Sequence, residues 1–129
     1  MDALNRNELE ALRILWEQGE AKPAEIEEAF AWDIDNGTLR SVLRVLMEKD
    51  LVVRRKAGKA FVYRAKKSRE GVMSRMTRHM ARVFAGGSAA DLIAQLIRTE
   101  KLSPKDLAEL RRIAQAKPAA SRKRSGGES

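Results

Sequence analysis

The side chains with recognisable binding chemistry in this sequence are hydroxyls and guanidiniums placed at helical spacing. They are Thr38, Arg40, Ser41 and Arg44. Such groups donate hydrogen bonds to base edges and phosphates, and arginine can pair with guanine through two parallel bonds. Arg40 and Arg44 lie one helical turn apart, so both cannot be assumed to read bases, and phosphate is the alternative partner for one of them. The residue types and their spacing predict contact with double-stranded DNA.

A second basic group follows a few residues later. It comprises Arg54, Arg55, Lys56 and Lys59. We expect these cations to contact the phosphate backbone, because such contacts add affinity and salt dependence without selecting a sequence.

An amphipathic helix must position the first group. Its predicted inner face has apolar residues at i, i+3, i+4 and i+7, which are Leu39, Val42, Leu43 and Leu46. Asn36 is expected to cap this helix, because asparagine accepts a hydrogen bond from the first free N–H groups. The polar residues then lie on the outer face, where they can enter a major groove.

A β-hairpin must position the second group. Two short runs of branched and aromatic residues, 51–53 and 61–63, predict strands. The basic segment 54–59 between them predicts the turn, with Gly58 at a position that needs a permissive backbone. A basic helix followed by a basic hairpin is typical of a winged helix-turn-helix. A solvated helix face and an edge strand protected by charge would give the same local pattern, so this alternative stays open.

The distribution of charge favours the DNA-binding interpretation. The formal net charge is +8, but residues 1–36 carry 3 basic and 10 acidic side chains. Residues 37–84 carry 14 basic and 3 acidic side chains, and residues 85–129 carry 9 and 5. The positive charge therefore concentrates on the predicted recognition helix, the hairpin and the helix that follows.

Other chemistry finds little support in the sequence. The chain has no cysteine, which excludes disulfides, thiolate catalysis and cysteine-based metal sites. The single histidine, His79, has no histidine or cysteine partner, so we place it at a helix interface or surface and predict no metal, cofactor or enzymatic activity. We find neither a membrane-spanning apolar run nor a signal peptide, so we expect a soluble, cytoplasmic protein.

The helices on the N-terminal side complete the predicted DNA-binding domain. The first begins at Asn5, where Glu8 completes a capping box, and ends near Gly19. Its predicted buried stripe is Leu9, Leu12, Leu15 and Trp16. A second short helix begins at Pro23, and residues 31–35 form the turn into the recognition helix.

The C-terminal half predicts three further helices with many large apolar residues. A long helix runs from Ser68 to the glycines at 86 and 87, and two shorter ones begin near Ser88 and Ser103. Three helices are too few to enclose their apolar faces within one subunit, so a second copy is the favoured cover. Packing back on the same subunit is the alternative. The predicted dimer interface is Met76, Met80, Phe84, Leu92, Ile93, Leu96, Ile97, Leu107, Leu110 and Ile113.

The predicted fold is mainly α with a small β-hairpin. A winged helix-turn-helix domain spans residues 1–66, a helical dimerisation domain spans 67–116, and 117–129 is a disordered basic tail.

Four segments, in order and at matching spacing, resemble the penicillinase-repressor family of winged-helix regulators, the BlaI/MecI/CopY type. They are LNRNELEALRILWEQGEAKPAEI, NGTLRSVLRVLMEKDLV, GKAFVYRAKKSRE and FAGGSAADLIAQLIRTEKLSPKDLAELRRI, and together they cover roughly residues 4–116. The last segment is the most specific, because general winged helices lack it.

The resemblance implies a homodimeric repressor that binds an inverted-repeat operator, often with TACA/TGTA half-sites. It also implies relief of repression through a membrane sensor-protease and cleavage within the dimerisation helices. The family's Asn-Phe cleavage position falls at Gln95-Leu96 here, which departs from the family pattern. The cysteine pairs of the copper-responsive branch are absent. A winged-helix module that binds another protein, with only non-specific DNA affinity, is the competing hypothesis.

Overall fold

The computed structural model describes residues 3–116 and divides them into two units, which meet between Arg69 and Glu70. The first unit contains α1 (Arg6–Gln18), α2 (Pro23–Ala29), α3 (Asn36–Glu48), β1 (Val52–Ala57) and β2 (Ala60–Ala65). The second contains α4 (Arg69–Ala85), of which Arg69 itself falls in the first unit, α5 (Ala89–Glu100) and α6 (Pro104–Gln115). The predicted tail, 117–129, lies outside the described residues.

Helix α1 begins at the predicted capping box. The Asn5 side chain accepts a hydrogen bond from the Glu8 N–H at 2.8 Å, and the Glu8 carboxylate accepts one from the Asn5 N–H at 3.0 Å. Gly19 ends the helix with φ +86°, a conformation that favours glycine. Leu12 and Leu15 are buried as predicted, but Leu9 and Trp16 are only half-buried.

Helices α2 and α3 form the helix-turn-helix. Proline lies in the first turn of α2, as predicted, and Ile26 is buried beneath it. The predicted cap of α3 was wrong: Asn36 is the first helical residue, and Asp35 is the cap. The Asp35 carboxylate accepts a hydrogen bond from the Thr38 N–H at 2.7 Å, and its charge suits the positive end of the helix dipole.

The hairpin is longer than the sequence pattern predicted. β1 and β2 pair antiparallel from Val52 opposite Ala65 to Ala57 opposite Ala60, so the loop is only two residues long. Gly58 supplies the positive φ, +66°, at the first loop position. The prediction that 54–59 forms the turn was therefore wrong, because the cations at 54–56 belong to β1.

A short bridge fixes the hairpin to the loop between α1 and α2. The Ala21 N–H donates to the Tyr63 carbonyl at 3.0 Å, and the Tyr63 N–H donates to the Ala21 carbonyl at 2.8 Å. Ala21 and Tyr63 are both buried, so these backbone bonds are shielded from water. The residue before Ala21, Glu20, is thereby held beside the hairpin.

The second unit has a small core of its own. Ala81, Ala85 and Leu92 are buried together, with Met80 packed against them. Gly86 and Gly87 have positive φ and end α4 as predicted, while Ser88 and Ser103 cap the next two helices. Leu92, which the sequence placed in the dimer interface, is therefore a core residue of its own unit. None of the residues of α6 is buried.

Candidate nucleic-acid interface

The outer face of α3 brings the predicted base-reading residues together. Thr38, Arg40, Ser41 and Arg44 are all exposed. The opposite face is anchored by Leu39, Val42, Leu43 and Leu46, all buried. Burial of the inner face fixes the rotation of the helix about its axis, so the four polar side chains must point away from the core.

Both arginines of α3 have partners on the same helix. Arg40 donates from Nε to Asn36 Oδ1 at 2.8 Å, and Arg44 donates from Nη1 to Glu48 Oε2 at 3.1 Å. The Arg44 and Glu48 side chains are both 61% exposed. Exposed pairs one turn apart contribute only about 0.3–0.5 kcal/mol, so a phosphate or a base can replace these partners at little cost.

Thr38 also serves the start of α3. Its backbone N–H and its side chain both donate hydrogen bonds to Asp35, which holds the pKa of that carboxyl below its usual range. Asp35 is therefore ionised at neutral pH and fixes the first turn. The structure gives Thr38 a capping role in addition to its predicted contact with DNA.

The cations of the hairpin lie on two faces, because side chains alternate along a strand. On one face, the Arg54 guanidinium stacks 3.9 Å from the centre of the Phe61 ring, and the Lys56 amine lies 5.8 Å from it. Arg54 also donates to the Tyr63 hydroxyl at 3.2 Å. The aromatic residues of β2 thus hold Arg54 flat on the hairpin, which is the wing of the winged helix (residues 52–65). Lys59 is exposed in its loop.

The other face of the hairpin carries an ion pair that sequence analysis missed. Arg55 donates from Nε to Glu20 Oε2 at 3.0 Å and from Nη2 to Glu20 Oε1 at 2.9 Å. These bonds, the charge of Arg55 and the charge of Arg64 hold the pKa of Glu20 below its usual range. The alternation of side chains along the two strands could have placed Arg64 on the same face as Arg55. No local sequence pattern, however, predicts that Glu20, which is 35 positions from Arg55, is its partner.

The first unit also has an open groove of about 750 Å³ beside α2 and the turn into α3. It is lined by Ala24, Glu27, Glu28, Phe30, Trp32, Asp33, Ile34 and Asp35. Four of these side chains are acidic, so the groove repels phosphate. It does not extend the basic surface.

The predicted dimer interface contains a large apolar surface on the second unit. Phe84 is 61% exposed, Ile93 53% and Ile113 54%, and three leucines are also exposed, namely Leu96, Leu107 and Leu110. Met76, Met80 and Ile97 are half-buried. Single exposed apolar residues are ordinary on protein surfaces, whereas here six large ones are exposed on three consecutive helices.

Groups suited to metal binding or catalysis are not assembled in the part of the chain that the structure describes. Residues 3–116 contain no cluster of three or more histidine, cysteine or acidic side chains able to hold a metal ion. His79 is half-buried, with Nδ1 3.4 Å from Nη2 of Arg82. No helix within these residues is long and apolar enough to cross a membrane.

Three solved structures have an arrangement similar to that of this chain, and two of them are described as DNA-binding. BpsR from Bordetella bronchiseptica is 19% identical, with 78% of this chain and 75% of that chain covered and a TM-score of 0.50. A mutant of MarR from E. coli is 16% identical, with 87% and 76% covered and a TM-score of 0.51. The DNA-binding domain of the repressor BlaI is 21% identical, with 51% and 83% covered and a TM-score of 0.44. At these identities, the likeness to BpsR and MarR shows the winged-helix fold alone.

The fold and the basic surface define a winged-helix DNA-binding protein. The sequence matches the penicillinase repressor family over residues 4–116, and the chain belongs to that family. No curated protein sequence matches it. The chain is therefore a DNA-binding transcriptional repressor and not an enzyme, and the family predicted from its four segments is confirmed.

Proposed function

We propose that the chain represses transcription in the cytoplasm as a homodimer, with the outer face of α3 in the major groove of each half of an inverted repeat. The observation that carries this proposal is the outer face itself. Four side chains that donate hydrogen bonds stand exposed on a helix whose opposite face is fully anchored, beside a hairpin with five cations. In this assignment, Ser41 and one arginine of α3 read bases, and the wing cations bind phosphate.

The exposed apolar surface of the second unit supports the homodimer. A second copy offers the same surface, so a two-fold interface would bury both at once. Two linked DNA-binding domains bind an inverted repeat far more tightly than one domain binds a half-site. Repression then requires no chemistry, since a bound dimer blocks the promoter.

The dependence of DNA binding on the dimer also provides a way to relieve repression. A signal that separates the two copies would release the DNA, and in this proposal a membrane sensor-protease pathway supplies that signal. Gln95 and Leu96 lie inside α5, and the Gln95 side chain donates to the Phe84 carbonyl at 3.0 Å. A protease needs an extended substrate, so cleavage at this bond would require local opening of α5 first.

Selection from a randomised duplex library tests the DNA-binding proposal. We expect enrichment of an inverted repeat that one dimer binds with a steep dependence on salt. Recovery of no motif, with binding that salt simply abolishes, would refute sequence-specific repression and favour the protein-interaction module.

A substitution in α6 tests the dimer. Leu110→Asp places a charge in the apolar surface, and Ala108→Asp adds the same charge to the opposite, exposed face of the same helix. We expect Leu110→Asp to give monomers by analytical ultracentrifugation and to weaken operator binding about 100-fold or more, because the linked second domain is lost. Ala108→Asp should remain dimeric. A dimeric Leu110→Asp variant with unchanged operator affinity would contradict the proposed interface.

A further inference from the structure

The ion pair between Arg55 and Glu20 is held in place by backbone structure on both sides. Arg55 lies within β1, in the middle of the paired register. Glu20 precedes Ala21, whose two backbone hydrogen bonds to Tyr63 fix the α1–α2 loop against the hairpin. Both carboxylate oxygens are used, each by a different nitrogen of the guanidinium. The backbones on both sides are therefore already ordered when the pair forms, and the remaining cost is the lost freedom of the two side chains.

This pair differs from the others on the predicted DNA surface. Asn36 and Glu48, the partners of the α3 arginines, are each four residues away on the same helix. Glu20 comes from a separate segment and accepts two bonds from one guanidinium. Its carboxylate also lies close enough to Arg64 for that charge to favour its ionised form. A single acid thus faces two of the cations on this side of the wing.

A carboxylate and a phosphate compete for the same guanidinium. Both accept two parallel N–H bonds from arginine, and one guanidinium edge cannot serve both at once. Among the wing cations that we assign to phosphate, Arg55 therefore begins with the edge formed by Nε and Nη2 occupied. Phosphate can take this edge only after the bonds to Glu20 break, and a phosphate on the remaining edge would lie beside the Glu20 carboxylate, whose negative charge repels it.

We propose that Glu20 is an internal competitor of DNA phosphate, which occupies Arg55 in the free repressor and weakens the attachment of the wing to DNA. This inference rests on the proposed contact between the wing and DNA. The competition is independent of sequence, because it acts on a phosphate contact. Glu20 therefore lowers the affinity for every DNA and leaves the preference between operators unchanged.

The test is a double-mutant cycle with Glu20→Gln and Arg55→Gln, measured on the selected operator. Glu20→Gln keeps the shape of the side chain, and we expect it to tighten binding roughly 1.5- to 5-fold per wing, the range that corresponds to an exposed ion pair. Two wings would multiply this to about 2- to 25-fold for a dimer. In the Arg55→Gln background the same change should have a clearly smaller effect, because only the interaction of Glu20 with Arg64 and its general repulsion of DNA remain.

Glu17→Gln is the matched control. It removes the same charge three residues earlier, and its partner in the structure is Arg13 rather than a wing cation. We expect this variant to bind almost as the wild type does. Equal effects of Glu20→Gln in both backgrounds, or weaker binding by that variant, would overturn the proposal. Absence of binding by the wild type would instead refute the proposed function.

A measurement without DNA checks the pair itself. In a carboxyl NMR titration of the free protein, Glu20 should titrate below its ordinary pKa, and Arg55→Gln should return it towards that value. Thermal unfolding of each variant confirms that the hairpin remains folded. A Glu20 pKa unchanged by Arg55→Gln would show that the ion pair does not persist in solution.

Discussion

Replacement of Glu10 by glutamine (Glu10→Gln) removes the charge from a buried carboxylate that joins α1 to the turn before α3. Glu10 is 7% exposed. Its Oε1 accepts from Arg13 Nε at 2.9 Å, and its Oε2 accepts from Arg13 Nη2 at 2.7 Å and from the Ala31 N–H at 2.9 Å. Glutamine has one acceptor oxygen in place of two. With that oxygen at the Oε2 position the bond from Arg13 Nε is lost, and with it at the Oε1 position the bonds from Arg13 Nη2 and the Ala31 N–H are lost.

The expected cost follows from these contacts. A hydrogen bond to a charged group contributes about 1.5–3 kcal/mol, and we expect Glu10→Gln to lower the free energy of unfolding by about 2 kcal/mol at pH 7. Glu17→Gln is the control, because Glu17 accepts from the same arginine at 2.9 Å but its side chain is 54% exposed. That variant should lose less than about 0.5 kcal/mol.

The pH dependence of the free energy of unfolding tests whether the ionised Glu10 carboxylate is the source of this stabilisation. Hydrogen bonds from Arg13, followed by the Ala31 N–H, hold the pKa of Glu10 below its usual range in the folded protein. A lowered folded pKa means that the stabilisation is complete above the ordinary glutamate pKa of about 4.3 and is lost as the pH falls through the folded value. The difference between wild type and Glu10→Gln should therefore be full at pH 7 and shrink in acid.

Urea unfolding followed by circular dichroism, at one protein concentration, measures these differences. Equal stability of Glu10→Gln and Glu17→Gln at pH 7 would contradict the ionic role of Glu10. A difference from wild type that is the same at pH 3 as at pH 7 would also contradict it, because below the ordinary glutamate pKa of about 4.3 the unfolded chain takes up a proton on Glu10 and the advantage of the wild type must shrink.

Two further predictions concern the DNA-binding surface. Leu39→Ala should lower the free energy of unfolding, measured in urea, by about 2–5 kcal/mol, because Leu39 is fully buried. Ser41→Ala should change this free energy by less than about 0.5 kcal/mol. In binding titrations, however, it should reduce the discrimination between operator variants. Six basic side chains per protomer are assigned to DNA, and one arginine of α3 reads a base, so ten phosphate contacts in a dimer would give a slope of log affinity against log salt near −9. If Arg55 keeps Glu20 as its partner, eight contacts remain and the slope should be near −7, so a fluorescence anisotropy titration over several salt concentrations distinguishes the two cases.

The features of the fold that the sequence predicted are those encoded within a few residues. The apolar face of α3 follows from spacing over eight positions, and the cap of α1 follows from Asn5 and Glu8. Asp35 and Asn36 are adjacent and either could cap α3, so the spacing of apolar residues could not distinguish them. The cap is Asp35 and not the predicted Asn36. Local patterns fix the period of a helix but leave its first residue open by one position.

The length of the hairpin was underestimated because its cations are poor strand formers in isolation. Arg54 and Lys56 are exposed in β1, where β-propensity alone predicts a turn. The opposite strand supplies Phe61, and its ring lies against the Arg54 guanidinium at 3.9 Å. Cross-strand packing of this kind stabilises a basic strand, and it can be known only once the register is known.

The ion pairs between distant segments lie beyond local sequence patterns for the same reason. Glu20 meets Arg55 across 35 positions, and Glu8 meets Lys49 at 3.1 Å across 41. A count of basic residues along the chain treats each of these cations as available to DNA. In the folded protein, Glu20 occupies one edge of the Arg55 guanidinium and competes with phosphate for it, whereas Lys59 in the wing loop lies exposed. The effective charge of the DNA-binding surface is therefore set by which acids the fold brings beside it, and the acidic N-terminal third of the chain supplies Glu20 for that role.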